Sequence, residues 1–338
     1  MLIKNLKIVF FGTPQFAVAS LEALIADAGI DVVAVVTQPD KRRGRGKELS
    51  SSPVKVAGLA ANIPIVQPDR IKKDLDALAQ LRAYEADFFV VVAYGQLLSQ
   101  EILDMPKIGC INGHGSLLPA YRGAAPIQQC LVNGESQTGM TTMLMDIGMD
   151  TGAMLLKSTL DIGLLENAHE LADRLSTMSA DLLIETLPKL AKGELKPEIQ
   201  DNDSATYAAL IKKEDYVLDW SKSAIVLHNQ IRGLYPGCST TFRNAALKVI
   251  ATVPLTDQTR SQLSSEFQSL YDPMFDAIEL LQIQPSGTII AVIKNRGVIV
   301  QTGDGYLFLK ELQLSGKKVQ SGWDFANGSR VTIGEQLI

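Results

Sequence analysis

The chain has 338 residues, 46% of them hydrophobic and 20% charged, with a formal net charge of −5. That length and apolar content are enough for about two domains with ample core. The net charge argues against generic nucleic-acid binding, and no apolar run reaches the length of a membrane span.

The first residues, MLIKNLKIVFFGTP, hold one short apolar run with no small-residue cleavage pattern after it. They read as a first strand, not as a signal peptide. Residues 7–11 (KIVFF) form that strand, which ends at Gly12-Thr13-Pro14. Phe16, Ala19, Leu21, Leu24 and Ile25 then follow helical spacing over 15–28. A second buried strand is expected at 31–37 (DVVAVVT), followed by the basic run KRRGRGK from Lys41 to Lys47. The segment 1–206 carries the acidic excess, so this run is a local exception. Charge alone favours a solvated loop, although a local basic patch also binds polyanions. Helices are expected at 55–61 and 72–82, with strands at 65–66 and 87–93 (DFFVVVA). Buried strands alternating with helices predict a mostly parallel sheet covered on both faces. Ligands of such sheets sit at the carboxyl ends of strands, where Gly12, Gln38, Tyr94 and residues 112–114 fall. Gly12 is not followed by GxGxxG. The run ending Gly46-Lys47-Glu48 lacks the first glycine and the Ser/Thr of a P-loop, so neither NAD nor ATP is expected.

Residues 110–152 concentrate the chemistry. Asn112 and His114 are two apart, so a strand over 109–114 places both side chains on one face. Asp150 lies in a glycine-rich turn, GMDTG, and could fold back onto that strand end. An amide donor, an imidazole and a carboxylate would form an acid/base constellation. The structural alternative is a strand end satisfying loop backbone, with Asp150 in an Asx turn.

After Gly152, a strand is expected at 154–160 and an amphipathic helix at 169–190. His169-Glu170 is not HExxH, because position 173 is Asp, so His169 reads as a helix-surface residue. Residues 191–206 are polar and contain one proline, a linker candidate. A helical run at 224–231 contains His228, read as structural. Short strands from 246 onward, separated by turn signals, predict a small antiparallel barrel, with 254–285 as an insertion. Cys110, Cys130 and Cys238 are widely spaced and form no CxxC pair, so neither a zinc site nor a disulfide framework is expected. A reducing, cytoplasmic compartment is the simplest expectation.

The segments FFGTPQFA, TQPD, GRGK, SPVK, VVAYG, NGHGSLLPAYRGAAPIQ and GMDTG, in this order, resemble the tetrahydrofolate-dependent formyltransferases. IKKEDYVLDWS, IRGLYPG and DGYLFLKELQLSGKK resemble the branch of that family that formylates methionyl initiator tRNA. The resemblance implies a Rossmann-like catalytic domain over 1–195, a linker over 196–214 and an OB-like tRNA-binding domain over 215–338. It implies 10-formyltetrahydrofolate as formyl donor. No metal is expected, since the residues show no metal cluster and the chemistry needs none, and a monomer without membrane association is expected. Asn112, His114 and Asp150 match the family's catalytic residues. Val92, Ala93, Tyr94, Gly95, Ser116, Leu117, Leu118, Pro119, Asp146 and Ile147 match its folate-binding segments. Arg42, Arg43, Arg45 and Lys47 become tRNA contacts, joined by Lys317 and Lys318 of the barrel. Two positions depart from the family: Gly113 stands where Val or Ile is usual, and Ala120 where Arg is usual. Two alternatives remain open: a folate formyltransferase acting on a sugar or other small amine, and a tRNA- or folate-binding protein without catalysis.

Overall fold

The computed structural model describes residues 5–43, 48–271 and 284–338. The chain forms two compact units, one of residues 1–126, 137–160 and 172–208, the other of 127–136, 161–171 and 209–338.

The first unit is built on β1 (Leu6–Gly12), β2 (Ile30–Val36), β3 (Lys41–Arg43), β4 (Glu48–Ser50), β5 (Ile65–Val66), β6 (Phe88–Val92), β7 (Gly109–His114), β8 (Arg122–Gly123), β9 (Gln137–Leu144), β10 (Met154–Asp161) and β11 (Tyr207–Ala208). Seven of these form one sheet in the order β10-β9-β7-β6-β1-β2-β5. β1 pairs in parallel with β2 and β6, β2 with β5, and β6 with β7. β7 and β9 are antiparallel. The unbroken apolar runs of β1 and β6 have a simple cause, since both faces of the sheet are covered. Val9, Phe11, Phe89 and Val91 join one apolar cluster. Ile8, Phe10, Phe88 and Val90 join the other, with Leu183 and Leu187 of the helix Ala168–Ala191.

Two expected helices are each split. Residues 15–26 form a 3-10 turn, Gln15–Ala17, and a helix, Val18–Ala26. Residues 71–83 form a turn, Ile71–Lys73, and a helix, Leu75–Ala83. In the second case Asp74 restarts the helix, its side chain accepting the Ala77 N–H. No helix among the described residues is long and apolar enough to cross a membrane.

The second unit is an antiparallel sheet of β12 (Ser239–Phe242), β13 (Ala245–Leu255), β14 (Ile289–Ile293), β15 (Gly297–Gln301), β16 (Tyr306–Leu314) and β17 (Gln320–Ser321). Its order is β12-β13-β16-β15-β14, with β17 on β16. β13 changes register on β16 between Val249 and Thr252. Leu247 and Val249 pack in one apolar cluster, and Val253 and Leu255 in another. The irregularity thus lets one strand serve two cores. Leu263, Leu270 and Tyr271, from the segment expected as an insertion, belong to the second cluster. The Tyr271 hydroxyl donates to the Thr256 carbonyl at 2.7 Å. Residues 272–283 of that segment lie outside the described residues.

The histidines of the second unit have structural partners. His169 is exposed and stacks edge-on against Tyr235. His228 is buried, with Nε2 donating to the Leu164 carbonyl at 2.8 Å and Nδ1 2.9 Å from the Thr252 hydroxyl.

Candidate active site

β7 presents its two polar side chains on one face and Gly113 on the other. A Cβ at Gly113 would stand 2.9 Å from Ser179 Oγ and 3.4 Å from a Val92 methyl. Ser179 lies on the long helix and accepts a hydrogen bond from Ser20 at 3.1 Å. The glycine is therefore a close approach of strand to helix, and it leaves the opposite face to Asn112 and His114.

Asp150 reaches that face by a tight turn. The antiparallel β9 ends with Leu144 opposite Ile111, and Met145 N–H donates to the Cys110 carbonyl. The chain then turns back over residues 146–152. The Asp146 carboxylate accepts from Gly148 N–H at 3.0 Å and from the Thr151 hydroxyl at 2.7 Å. At Gly152 a Cβ would meet the Leu144 carbonyl at 1.8 Å, so only glycine fits. Asp150 itself has φ 55, the left-handed region that Asp and Asn tolerate better than most residues.

Three groups converge on the Asp150 carboxylate. Oδ1 accepts from Asn112 Nδ2 at 3.3 Å, and Oδ2 accepts from the Gly123 backbone N–H at 2.8 Å. His114 Nδ1 lies 3.6 Å from Oδ2. The other ring nitrogen, Nε2, lies 3.0 Å from the Tyr121 carbonyl. A carbonyl only accepts, so Nε2 carries the proton of the neutral ring. Nδ1 is then the basic nitrogen, and it faces the carboxylate. The same logic orients Asn112, whose NH2 and not its oxygen must face Asp150. His114 is buried and Asp150 largely so, which strengthens their mutual electrostatics.

The segment after β7 is held by its own hydrogen bonds. Ser116 Oγ donates to the Ala120 carbonyl at 2.6 Å, and Thr141 Oγ1 donates to the Ser116 carbonyl at 2.7 Å while accepting from Leu118 N–H. Leu118 is buried with Met143 and Met154. Leu117 and Pro119 are half-buried. Arg122 is buried at 1% exposure. Its Nε donates to Gln200 Oε1 at 2.9 Å and its Nη2 to Asn202 Oδ1 at 3.0 Å. Gln200 Nε2 donates to the backbone carbonyls of Asp150, at 2.8 Å, and Gly152, at 2.7 Å. Gln200 is absent from the residues singled out in the sequence, where it is one polar residue in a polar stretch. Hydrophobic periodicity carries no signal for a side chain that bonds backbone 50 residues away.

The other expected positions fall as follows. Val92 is buried at the end of β6, and Ala93 and Gly95 are exposed with φ 48 and 86. Tyr94 turns its ring into the core, edge-on to Phe11 at 5.4 Å. Its hydroxyl is buried without a hydrogen-bond partner among the described residues, and burial pushes the phenol pKa up. Its carbonyl accepts from Thr13 Oγ1 at 2.9 Å and Gln38 Nε2 at 3.3 Å, tying together the ends of β6, β1 and β2. Ile147 and Met149 are 69% and 56% exposed beside Asp150, apolar surface on a polar turn. Lys41 and Arg42 are exposed on β3, which pairs antiparallel with β4, Arg43 opposite Glu48. Arg45 and Lys47 lie outside the described residues. Lys317 and Lys318 are exposed between β16 and β17, in the second unit. Arg296, a basic residue in the turn between β14 and β15, is engaged with Ser269 Oγ and with Glu266.

Comparison with known proteins agrees with this fold. The family model described as formyl transferase matches residues 6–187, and that of the formyl transferase C-terminal domain matches residues 210–330. The chain is 59% identical over 333 residues to the methionyl-tRNA formyltransferase of Trichormus variabilis, covering 98% of this chain and 99% of the relative. It is 53% identical over 328 residues to that of Synechocystis sp., covering 97% and 99%. Among solved structures, WlaRD, a sugar 3N-formyl transferase crystallised in the presence of dTDP and 5-N-formyl-THF, superposes with a TM-score of 0.63 at 19% identity. That match covers 93% of this chain and 99% of WlaRD, and at such identity it speaks for the fold alone. The chain belongs to the formyl transferase family and, within it, to the methionyl-tRNA formyltransferases.

Proposed function

We propose that the chain moves the formyl group of 10-formyltetrahydrofolate onto the α-amine of methionyl initiator tRNA, with Asn112, His114 and Asp150 at the reacting centre. The observation that carries this reading is the convergence of Asn112 Nδ2 and His114 Nδ1 on one carboxylate, at 3.3 and 3.6 Å.

The chemistry asks for those groups. The amine nitrogen attacks the formyl carbon, and the tetrahedral intermediate carries an oxyanion and a cationic nitrogen. Its collapse breaks the bond from carbon to the folate N10. The amine must lose a proton and N10 must gain one. Asn112 spends one N–H on Asp150 and keeps a second for the oxyanion, a contribution on the order of 10²–10³ in rate. His114 Nδ1 is the basic atom that exchanges the proton, and the imidazolium it forms faces a carboxylate already in place. Asp150 is itself anchored by Gly123 N–H, so it does not need to reorient when charge develops.

Folate is assigned to the turn over residues 146–150 and to the segments 92–95 and 116–119. The exposed Ile147 and Met149 offer apolar contact, and exposed backbone around Ala93 and Gly95 suits the edge of a planar pterin. Two of the assigned positions act through backbone alone, since Tyr94 turns its ring inward and Asp146 spends its carboxylate on its own turn. The tRNA is assigned to the basic run of Arg42, Arg43, Arg45 and Lys47, and to Lys317 and Lys318 on an antiparallel unit read as OB-like. Phosphate contacts by such side chains position a nucleic acid without reading its sequence.

The relative at 59% identity acts on methionyl-tRNA by its name, which favours tRNA over a sugar amine as acceptor. Formyl transfer from 10-formyltetrahydrofolate to charged initiator tRNA, measured beside transfer to free amino sugars, tests the reading. The expected result is formyl-methionyl-tRNA alone, and sugar activity without tRNA activity overturns it.

A further inference from the structure

We infer that Gln200 is a positioning residue for the Asp150 turn, and that the buried Arg122 in turn fixes Gln200. The inference rests on the assignment of Asp150 to the chemistry.

The Gln200 amide is used in full. Both of its N–H groups go to main-chain carbonyls of the turn, Asp150 at 2.8 Å and Gly152 at 2.7 Å. Its oxygen accepts from Arg122 Nε at 2.9 Å. A guanidinium only donates and a carbonyl only accepts, so the amide has a single admissible orientation. Gln200 is 4% exposed and Arg122 1%, so water does not compete freely for these bonds. The carbonyls it holds flank Thr151, and the turn there departs from ordinary backbone, with Asp150 at φ 55. A non-glycine residue in that region is strained and persists where its surroundings hold it.

Inside the turn, Asp146 ties down Gly148 and Thr151, and neither bond reaches Asp150. Outside it, Gly123 N–H holds the Asp150 carboxylate and Gln200 holds the Asp150 carbonyl. Asn112 on β7 also donates to that carboxylate, and the other two external anchors, Gly123 and Gln200, converge. Gly123 follows Arg122 on β8, and β8 pairs with β11, which lies shortly after Gln200. Arg122, whose guanidinium donates to the neutral side chains of Gln200 and Asn202, is thereby placed between the two anchors. Loss of the Gln200 N–H groups lets Asp150 drift from His114 without touching either substrate. Misplacement of about 1 Å costs on the order of 10²-fold in rate.

The experiment compares Gln200→Met, Gln200→Glu and Asp150→Asn with the parent enzyme in formyl transfer from 10-formyltetrahydrofolate to methionyl initiator tRNA. Glu keeps an acceptor for Arg122 but has no N–H for the two carbonyls, and Met keeps the volume and neither bond. Rates are expressed per folded enzyme, measured by near-UV circular dichroism. Both Gln200 variants are expected to lose at least about tenfold in kcat, with KM for folate and for tRNA within about threefold. A kcat within twofold of the parent in either variant overturns the inference. So does a loss confined to KM, or one that vanishes when rates are expressed per folded enzyme. Asp150→Asn separates the two readings. If it is inactive while the Gln200 variants match the parent, only the positioning role fails. If it is fully active, the assignment of Asp150 fails and the role of Gln200 falls with it.

Discussion

His114 directs Nδ1 at the Asp150 carboxylate, 3.6 Å away, because its Nε2–H is already bound to the Tyr121 carbonyl. The ring is therefore oriented from one side by backbone and from the other by charge. A proton arriving at Nδ1 creates an imidazolium beside its counter-ion.

This arrangement predicts the behaviour of the two strand residues. His114→Ala removes the nitrogen proposed as the base, and Asn112→Ala removes both the proposed oxyanion donor and a bond to Asp150. Each is expected to lower kcat by roughly 10²-fold or more, while binding of charged tRNA stays within about threefold. Steady-state kinetics with a filter-binding measurement of tRNA affinity check this. Near-normal turnover in either variant removes that residue from the mechanism.

Gly113 faces away from Asn112 and His114, toward Ser179 Oγ. An added methyl at 2.9 Å forces Ser179 aside and strains its contact with Ser20. Gly113→Ala is expected to destabilise the protein by about 1–3 kcal/mol, the usual penalty of overpacking. Gly113→Ala with Ser179→Ala, which removes the clashing Oγ and keeps a good helix former, is expected to recover part of the loss. Urea denaturation of the parent, the single variant and the double variant tests the contact. A Gly113→Ala protein as stable as the parent shows that Ser179 yields without cost.

His228 sets a pH dependence of stability. Burial lowers its pKa to about 4, against an ordinary value of 6.5. The unfolded chain takes up a proton below pH 6.5 that the folded protein refuses down to about pH 4. Stability from this group is thus complete above pH 6.5 and falls as pH drops through that window, by an amount on the order of 3 kcal/mol. His228→Gln removes the titration, and its stability is expected to vary less between pH 6.5 and 4 than the parent's. Denaturation midpoints at several pH values decide it, and parallel pH curves exclude His228 as the source.

Much of the first unit is legible in the sequence, for a physical reason. Strands buried on both faces, such as Phe88–Val92, are unbroken apolar runs. The Asn-x-His spacing is equally legible, because a strand's period of two puts positions 112 and 114 together whatever surrounds them. The turn bearing Asp150 is visible through its glycines, but its partner Gly123 N–H is not, since a backbone donor has no residue type to reveal it. Arg122 has the composition of a surface cation and is buried, bound by Gln200 and Asn202 from a stretch with the texture of a linker. Contacts of this kind depend on where two distant segments cross, and neither hydropathy nor spacing encodes that crossing.

The most direct test is single-turnover formyl transfer by Asp150→Asn. Asparagine tolerates the left-handed backbone at this position and still offers an oxygen to Gly123 N–H, so the fold is kept while the charge facing His114 is removed. With 10-formyltetrahydrofolate and methionyl initiator tRNA both bound, the rate is expected to fall by roughly 10²-fold or more. A rate within threefold of the parent would contradict the placing of the chemistry on the Asn112, His114 and Asp150 cluster.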